Sequence, residues 1–376
     1  MVSEYKPYLN IGPGEFIKEE LEARNWRQED LAEILGMSLK SVNKLMMNKQ
    51  AITIEAARLL SKAFGQSPQY WANLDTNYRL RLQNDTAREK TVETKANIYK
   101  YMPIKEMMRK GWIEPGKDID KLVDEIKSFW NVRFLDFSFL DKILLPNFRK
   151  SEAFTQYNKY YALTWFRMAK KCAKIYRASK YNRTSLEELG SNLHRYTGTQ
   201  NGVMLFLKGL NKTGVKFFVL SHLQKTYIDG ASFYDKANPV IVYTKRYDRL
   251  DNFWFTVAHE IAHILLHLKK EDDFFIDNLD ELVTEVERET DGFAANMLRA
   301  NEILEYFEPF RKYISTARVM NFAQILEIDP AIIVGVLQHY GMLSRKNLNR
   351  FKGTVSHCIP KEYLAEEYLE KIMRIT

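Results

Sequence analysis

The chain has 376 residues, 45% hydrophobic and 28% charged, and 56 Lys and Arg against 48 Asp and Glu leave a formal charge of +8. At roughly 100 to 200 residues per domain this predicts two or three domains, each with its own core. No stretch reaches the roughly 18 uncharged apolar residues of a membrane span, MVSEYKPYLN lacks a signal peptide's apolar run, and the two cysteines, Cys172 and Cys358, exclude a disulfide framework, so a reducing cytoplasm and no membrane partner are expected.

Residues 1–80 balance ten basic against ten acidic side chains, yet no acid lies between Glu33 and Glu55, where Lys40, Lys44 and Lys49 fall. A local basic face follows. Residues 14–70 read as short amphipathic helices broken at Asn25, Gly36, Asn48 and Gly65. Within them RQEDLAEILGMSLKSVNKLMMNKQ has helix-turn-helix form, with one helix near Gln28–Leu35, a turn at Gly36 and a second helix capped by Ser38. Leu31, Ala32 and Leu35 are expected to meet Val42 and Leu45, leaving Leu39, Lys40, Ser41, Asn43, Lys44 and Met47 outward. Ser38, Lys40, Ser41, Asn43 and Lys44 are the candidate DNA-binding residues. Ser, Asn and Lys can reach base edges in the major groove, and Lys and helix N-terminal amides can hold phosphates. A helix pair used only for protein contacts is the alternative.

The run from GEFIKEELEARNW to PQYWANLDTNY, about 65 residues, resembles the HigA-type antitoxin branch of the phage-repressor, or XRE-type, helix-turn-helix family. The resemblance implies binding to double-stranded operator DNA as a homodimer.

Residues 81–148, punctuated by Pro103, Gly111, Pro115 and Gly116, read as a helical connector. From 149 to 183 ten Lys or Arg accompany one acid, Glu152. There Tyr161, Trp165, Met168 or Ala169, Cys172 and Tyr176 recur at helical spacing, with Arg167, Lys170, Lys171 and Lys174 expected mostly elsewhere. They would form a solvated basic back or a surface for DNA or an acidic partner. Strands are expected at 203–208, 215–220, 227–233 and 240–243, divided by Gly209, Gly214, Gly230 and Pro239. Helices return at 253–269 and 283–298.

The first of these contains FTVAHEIAHILLHL. His259 and His263, four apart on a helix, share a face, and Glu260 sits beside them. The HExxH spacing offers two imidazoles to one zinc ion and a carboxylate, Glu260, as general base toward water on that ion. Catalytic zinc takes three protein ligands. In TEVERETDGFAANML, Glu287 and Asp291 are four apart, so one can ligate while the other accepts a ligand histidine's second N–H. Glu289 points about 160° from their midpoint on a regular helix, toward solvent or the basic stretch.

HEIAH followed by ERETDGFAANML resembles the ImmA/IrrE-type zinc metallopeptidase family, and the likeness runs from about residue 149 to 343, taking in GVKFFVL, IDGASFY and NPVIVYTKR. It implies Glu287 as third ligand, Asp291 as its supporting acid, and cleavage of helix-turn-helix regulators. Two departures are Thr290 in place of the usual Ala, and Arg299-Ala300 where a proline is common. Neither is expected to touch a metal ligand. Related zincins hold an extended substrate along an edge strand. Residues 227–234, including Gly230, are the candidate for that strand, the alternative being an ordinary strand with a bulge at Gly230. Tyr227, Tyr234, His222 and His267 are candidate oxyanion donors, a structural or supporting role being the favoured reading for His267.

FAQILEIDPAIIVGVLQHYGML resembles a second helix-turn-helix pair whose second helix has no basic residue, which predicts packing against the body rather than groove reading. The expected fold is thus mainly α with an α+β body. A helix-turn-helix domain (1–80) and a helical connector (81–148) precede a zincin-like HExxH domain (149–376) with a small twisted sheet, flanking helices and a C-terminal helical segment from about 302. The expected function is a regulator or antitoxin with a zinc-dependent peptidase, acting on a regulator, a cognate toxin or itself. The alternative is a non-catalytic antitoxin and autorepressor whose zincin domain binds a toxin or senses a signal.

Overall fold

Left-handed residues set the helix boundaries of the N-terminal unit. The computed structural model describes residues 10–82, 86–141, 158–269, 274–277 and 285–374, divided between a unit Met1–Thr94 and a unit Lys95–Thr376. Five helices make up most of the first: α1 (Pro13–Arg24), α2 (Gln28–Leu35), α3 (Leu39–Met46), α4 (Ile54–Phe64) and α5 (Pro68–Leu82). The chain turns after the first four through Asn25, Gly36, Asn48 and Gly65, all at positive φ. Gly and Asn adopt that conformation most readily, which is why these breaks are visible in the sequence. Ser38 and Thr53 cap α3 and α4 by accepting the N–H groups of Ser41 and Ala56. Leu31, Ala32 and Leu35 pack with Val42 and Leu45 as expected, in a core completed by Ile17, Leu60 and Trp71. At Gly14 a Cβ would lie 2.1 Å from the Met46 carbonyl oxygen, so this close approach to the end of α3 requires glycine.

The unit boundary falls within α6 (Thr86–Tyr101), and in the second unit α7 (Ile104–Arg109) and α8 (Ile119–Trp130) precede α9 (Lys159–Ala173). Ile98, Met107, Trp112, Ile126 and Phe129 share a core with Trp165 and Cys172 of α9, so much of the segment read as a connector is built into the body. The basic back expected for α9 is present only in part. Lys171 is 2% exposed with Nζ over the Phe129 ring, and half-buried Arg167 donates to the Phe129 carbonyl at 3.0 Å. Their alkyl stems fill the core, and burial lowers both pKa values. Lys170 and Lys174 are exposed, while residues 149–157, with Glu152, lie outside the described residues.

After α10 (Arg183–Ser191) and α11 (Leu193–Thr197), residues 203–208 correct the sequence reading. They belong to α12 (Gly202–Lys212), not a strand. Val203, Phe206, Leu207 and Leu210 are buried at helical spacing, and a short apolar run does not by its pattern separate strand from buried helix. The sheet comprises β1 (Lys216–Val219), β2 (Gly230–Asp235), β3 (Asn238–Tyr243) and β4 (Phe274–Asp277), in the order β1-β3-β2-β4. β1 is parallel to β3; the β3–β2 and β2–β4 pairs are antiparallel. Strand alternation serves two cores. Phe217, Val219, Ile241 and Tyr243 face one, and Phe218, Ala231, Phe233, Val240 and Val242 the other.

The first of these cores is built around α13 (Leu250–Leu266), which packs on β2 and β3 and on α14 (Glu285–Met297). Left-handed Arg299 joins α14 to α15 (Ala300–Phe307). The expected C-terminal pair is α16 (Thr316–Leu326) and α17 (Pro330–His339), the latter capped by Asp329 and packed on α13 and α15. Its residues 331–338 are all buried, as a core element requires. Among the described residues no single helix is long and apolar enough to cross a membrane.

Candidate metal centre and recognition helix

α13 is apolar on every side, with Phe253, Trp254, Val257, Ile261, Ile264 and Leu265 buried, so the polar residues it carries are held at fixed positions inside the body. His259 is 4% exposed and His263 and Glu260 are fully buried. One turn apart, the two histidines bring their Nε2 atoms to 3.0 Å of each other. From α14, Glu287 places Oε2 3.2 Å from His259 Nε2 and 3.7 Å from His263 Nε2. With ligand bonds of about 2.0–2.1 Å, a tetrahedral zinc ion separates its donors by roughly 3.3 Å. The set His259, His263 and Glu287 fits such an ion in spacing and donor chemistry. Asp291, one turn beyond Glu287, lies with Oδ1 2.9 Å from His259 Nδ1 and accepts its N–H.

Glu260 leaves the same turn of α13 toward β2. Its carboxylate lies so close to Gly230 that a Cβ there would be 2.2 Å from Oε1. This gives Gly230 a role that corrects the sequence reading. The ladder runs unbroken from Gly230↔Tyr243 to Asp235↔Asn238, so the glycine marks no bulge; it makes room for a carboxylate. Nor are residues 227–234 an edge strand. β2 is flanked by β3 and β4, and Tyr227, at φ 53°, precedes the strand in the left-handed region. Their hydrophobic pattern does not reveal the short β4, which occupies the edge. From it Phe275 stacks on the His263 ring, centroids 4.4 Å apart at 12°.

The remaining candidates separate. His267 has its ring 5.7 Å from that of His263 and its Nε2 3.8 Å from Glu289 Oε2. Burial, with His263 adding, lowers the His267 pKa against Glu289 and Glu287. Glu289 is exposed, as expected, but its neighbour is this histidine rather than the basic stretch. The pKa of His222 is lowered by burial and then by Lys110 and Arg246. Tyr227 lies under the Arg246 guanidinium, and Tyr234 packs against the α13 core. Sequence reasoning missed Tyr340, an exposed residue just after α17, whose pKa is raised by burial and by the charge of Asp291. It also missed Thr290, whose hydroxyl is 3.4 Å from His263 Nδ1, so one of the two departures does touch a candidate ligand.

In the first unit, Lys40, Asn43, Lys44 and Met47 form one exposed face of α3 and its C-terminal turn, and Ser41 is half-buried. Ser38 is engaged at the cap, its Oγ 2.9 Å from Ser41 Oγ, and Asn43 donates to Gln28 at 3.5 Å. Neither lysine forms an ion pair among the described residues, which leaves both charges open to an anionic partner.

Fold and site together define a class: a helix-turn-helix head and a zincin-like body in which the HExxH helix and α14 together supply a His/Glu cluster able to hold a metal ion. Residues 17–71 match the Helix-turn-helix family, and residues 204–328 match the IrrE N-terminal-like domain. Over 68 residues the chain is 37% identical to an uncharacterized HTH-type transcriptional regulator of Haemophilus influenzae, covering 18% of this chain and 64% of that protein. It is 33% identical over 81 residues to the uncharacterized HTH-type transcriptional regulator YddM of Escherichia coli (22% and 81%), and 33% identical over 73 residues to virulence-associated protein I of Dichelobacter nodosus (19% and 68%). The chain belongs to the HTH-type transcriptional regulators, and so to DNA-binding proteins, with an IrrE-like peptidase domain added to the shared head.

Proposed function

We propose that this protein is an operator-binding regulator whose body is a zinc-dependent endopeptidase. The observation that carries the reading is the convergence of His259 Nε2, His263 Nε2 and Glu287 Oε2, with the buried Glu260 on the same helical turn. When bound, zinc supplies a Lewis acid that polarises a peptide carbonyl and acidifies water. Glu260 takes the proton from the attacking water and delivers it to the leaving amine nitrogen. Asp291 fixes the His259 ring through Nδ1, and the packing of α13 keeps bulk water from Glu260. β4, at the sheet edge with Phe275 against His263, is the strand beside which an extended substrate would lie. Lys40, Ser41, Asn43 and Lys44 meet DNA, with Ser38 holding the helix N-terminus. The likeness of the body to ImmA/IrrE peptidases supports a helix-turn-helix regulator, a toxin or the chain itself as substrate. The likeness of the head to HigA-type antitoxins supports an operator bound by a homodimer and favours the non-catalytic antitoxin alternative.

The test is the Glu260→Gln protein, assayed on a purified helix-turn-helix regulator and on the product of the adjacent gene. It should retain zinc and lose cleavage that the wild type performs. Cleavage at equal rates would remove Glu260 from the chemistry. If the wild type holds zinc and sequesters the neighbouring product intact, the function is that of a non-catalytic antitoxin.

A further inference from the structure

Each candidate histidine ligand has two nitrogens, and the partner of Nδ1 decides which nitrogen can bind a metal. For His259 the partner is a carboxylate, Asp291, which only accepts, so Nδ1 carries the proton and Nε2 is left with its lone pair. For His263 the neighbouring group is the hydroxyl of Thr290, 3.4 Å from Nδ1. A hydroxyl can donate or accept, and by itself it fixes no tautomer. Here its single proton is already committed. Thr290 Oγ1 donates to the Val286 carbonyl one turn earlier in α14, at 2.8 Å. Toward His263 it can therefore only accept.

We infer that Thr290 is a positioning residue of the metal centre, its hydroxyl holding His263 in the Nδ1–H tautomer so that Nε2 is presented to the ion. This rests on the reading of the cluster as a metal site. Both Thr290 and His263 are fully buried, so water cannot take over this role by diffusing to Nδ1. The geometry at the other end of the ring agrees. With both Nδ1 atoms protonated, both Nε2 atoms, 3.0 Å apart, present lone pairs, as two ligands of one ion must. The same α14 segment thus supplies a ligand, Glu287, and the partners of both histidines, Thr290 and Asp291.

The experiment compares full-length Thr290→Val, which keeps the shape without the hydroxyl, and Thr290→Ser, which keeps the hydroxyl, with wild type. Zinc affinity is measured by competition with a chromophoric chelator, and the His263 tautomer by long-range 1H–15N correlation spectra of the metal-free protein. Partners of ligand histidines typically contribute 10- to 100-fold in metal affinity, and a neutral hydroxyl at 3.4 Å belongs near the lower figure. Thr290→Val should bind zinc about 10-fold more weakly and show His263 with Nε2 protonated in part of the population, with Thr290→Ser close to wild type. Zinc binding by Thr290→Val as tight as wild type, with Nδ1–H retained, would overturn the assignment. Should Thr290→Val fail to fold, Thr290→Ala is read the same way. If wild type itself binds no zinc, the metal reading fails, whereas the tautomer spectra still decide what Thr290 does.

Discussion

Gly230→Ala tests the seating of Glu260 more sharply than removing the carboxylate. Gly230 is not among the residues at positive φ, so the backbone accepts alanine there. What resists it is space. The new Cβ would lie 2.2 Å from Glu260 Oε1 and 2.7 Å from Thr256 Cγ2, where ordinary contact begins at 3.4 Å. The carboxylate would have to retreat by about 1.2 Å, in a site where Glu260 has no exposed surface. Overpacking of this kind costs about 1–3 kcal/mol, which a body of this size survives. A displacement of about 1 Å in a reacting group can cost about 10²-fold in rate. The three heavy atoms nearest this Cβ belong to Glu260 and Thr256 and to none of His259, His263 and Glu287, so zinc content should be unchanged. The assay is cleavage of a purified regulator or toxin by the zinc-loaded chain, with metal content and thermal melting followed in parallel. Wild-type cleavage by a folded Gly230→Ala protein would refute the placement of Glu260 as the proton-transferring group. Loss of metal would instead mean that β2 supports the ligands themselves.

Three further outcomes follow from the same structure. Lys40→Ala and Lys44→Ala should each weaken operator binding and lower the salt slope by about 1, since each exposed amine is free to neutralise one phosphate; unchanged titrations would move the DNA contact off α3. Burial raises the Cys172 thiol pKa, whereas Cys358 is exposed, so a thiol reagent on the native chain should label Cys358 alone, and rapid labelling of both would contradict the core around α9. Burial lowers the pKa of His194, with Arg299 and Arg195 adding, and of His222, with Lys110 and Arg246 adding. The unfolded chain then binds more protons than the folded one as pH falls below about 6.5, so stability is complete above that value and is lost as pH falls through the folded-state pKa values. Urea midpoints of the metal-free protein should drop toward pH 5, and by less in His222→Gln; a flat profile would contradict the burial of these rings.

Features encoded locally were legible in the sequence. The breaks at Asn25, Gly36, Asn48 and Gly65 show because few residues adopt positive φ readily, and HExxH shows because four residues make one helical turn. Features that depend on tertiary neighbours were not. Residues 203–208 are apolar enough for either a strand or a buried helix, and only the packing of Val203, Phe206, Leu207 and Leu210 into one core settles which. The lysines of α9 look solvated by composition, yet Lys171 is buried because Phe129 and its neighbours, some 40 residues earlier, cover it. Gly230 and Thr290 were visible as residues and misjudged in role, because the partners that give them meaning, Glu260 and His263, arrive from another element of the fold.

The most direct test of the central claim is the zinc stoichiometry of the purified, folded chain after metal loading and dialysis, set beside His263→Ala and Glu287→Ala. The account predicts about one zinc per wild-type chain and a sharp loss of affinity in both variants, with helical content preserved. A folded wild-type protein that holds no metal, or variants that hold it as tightly, would contradict it.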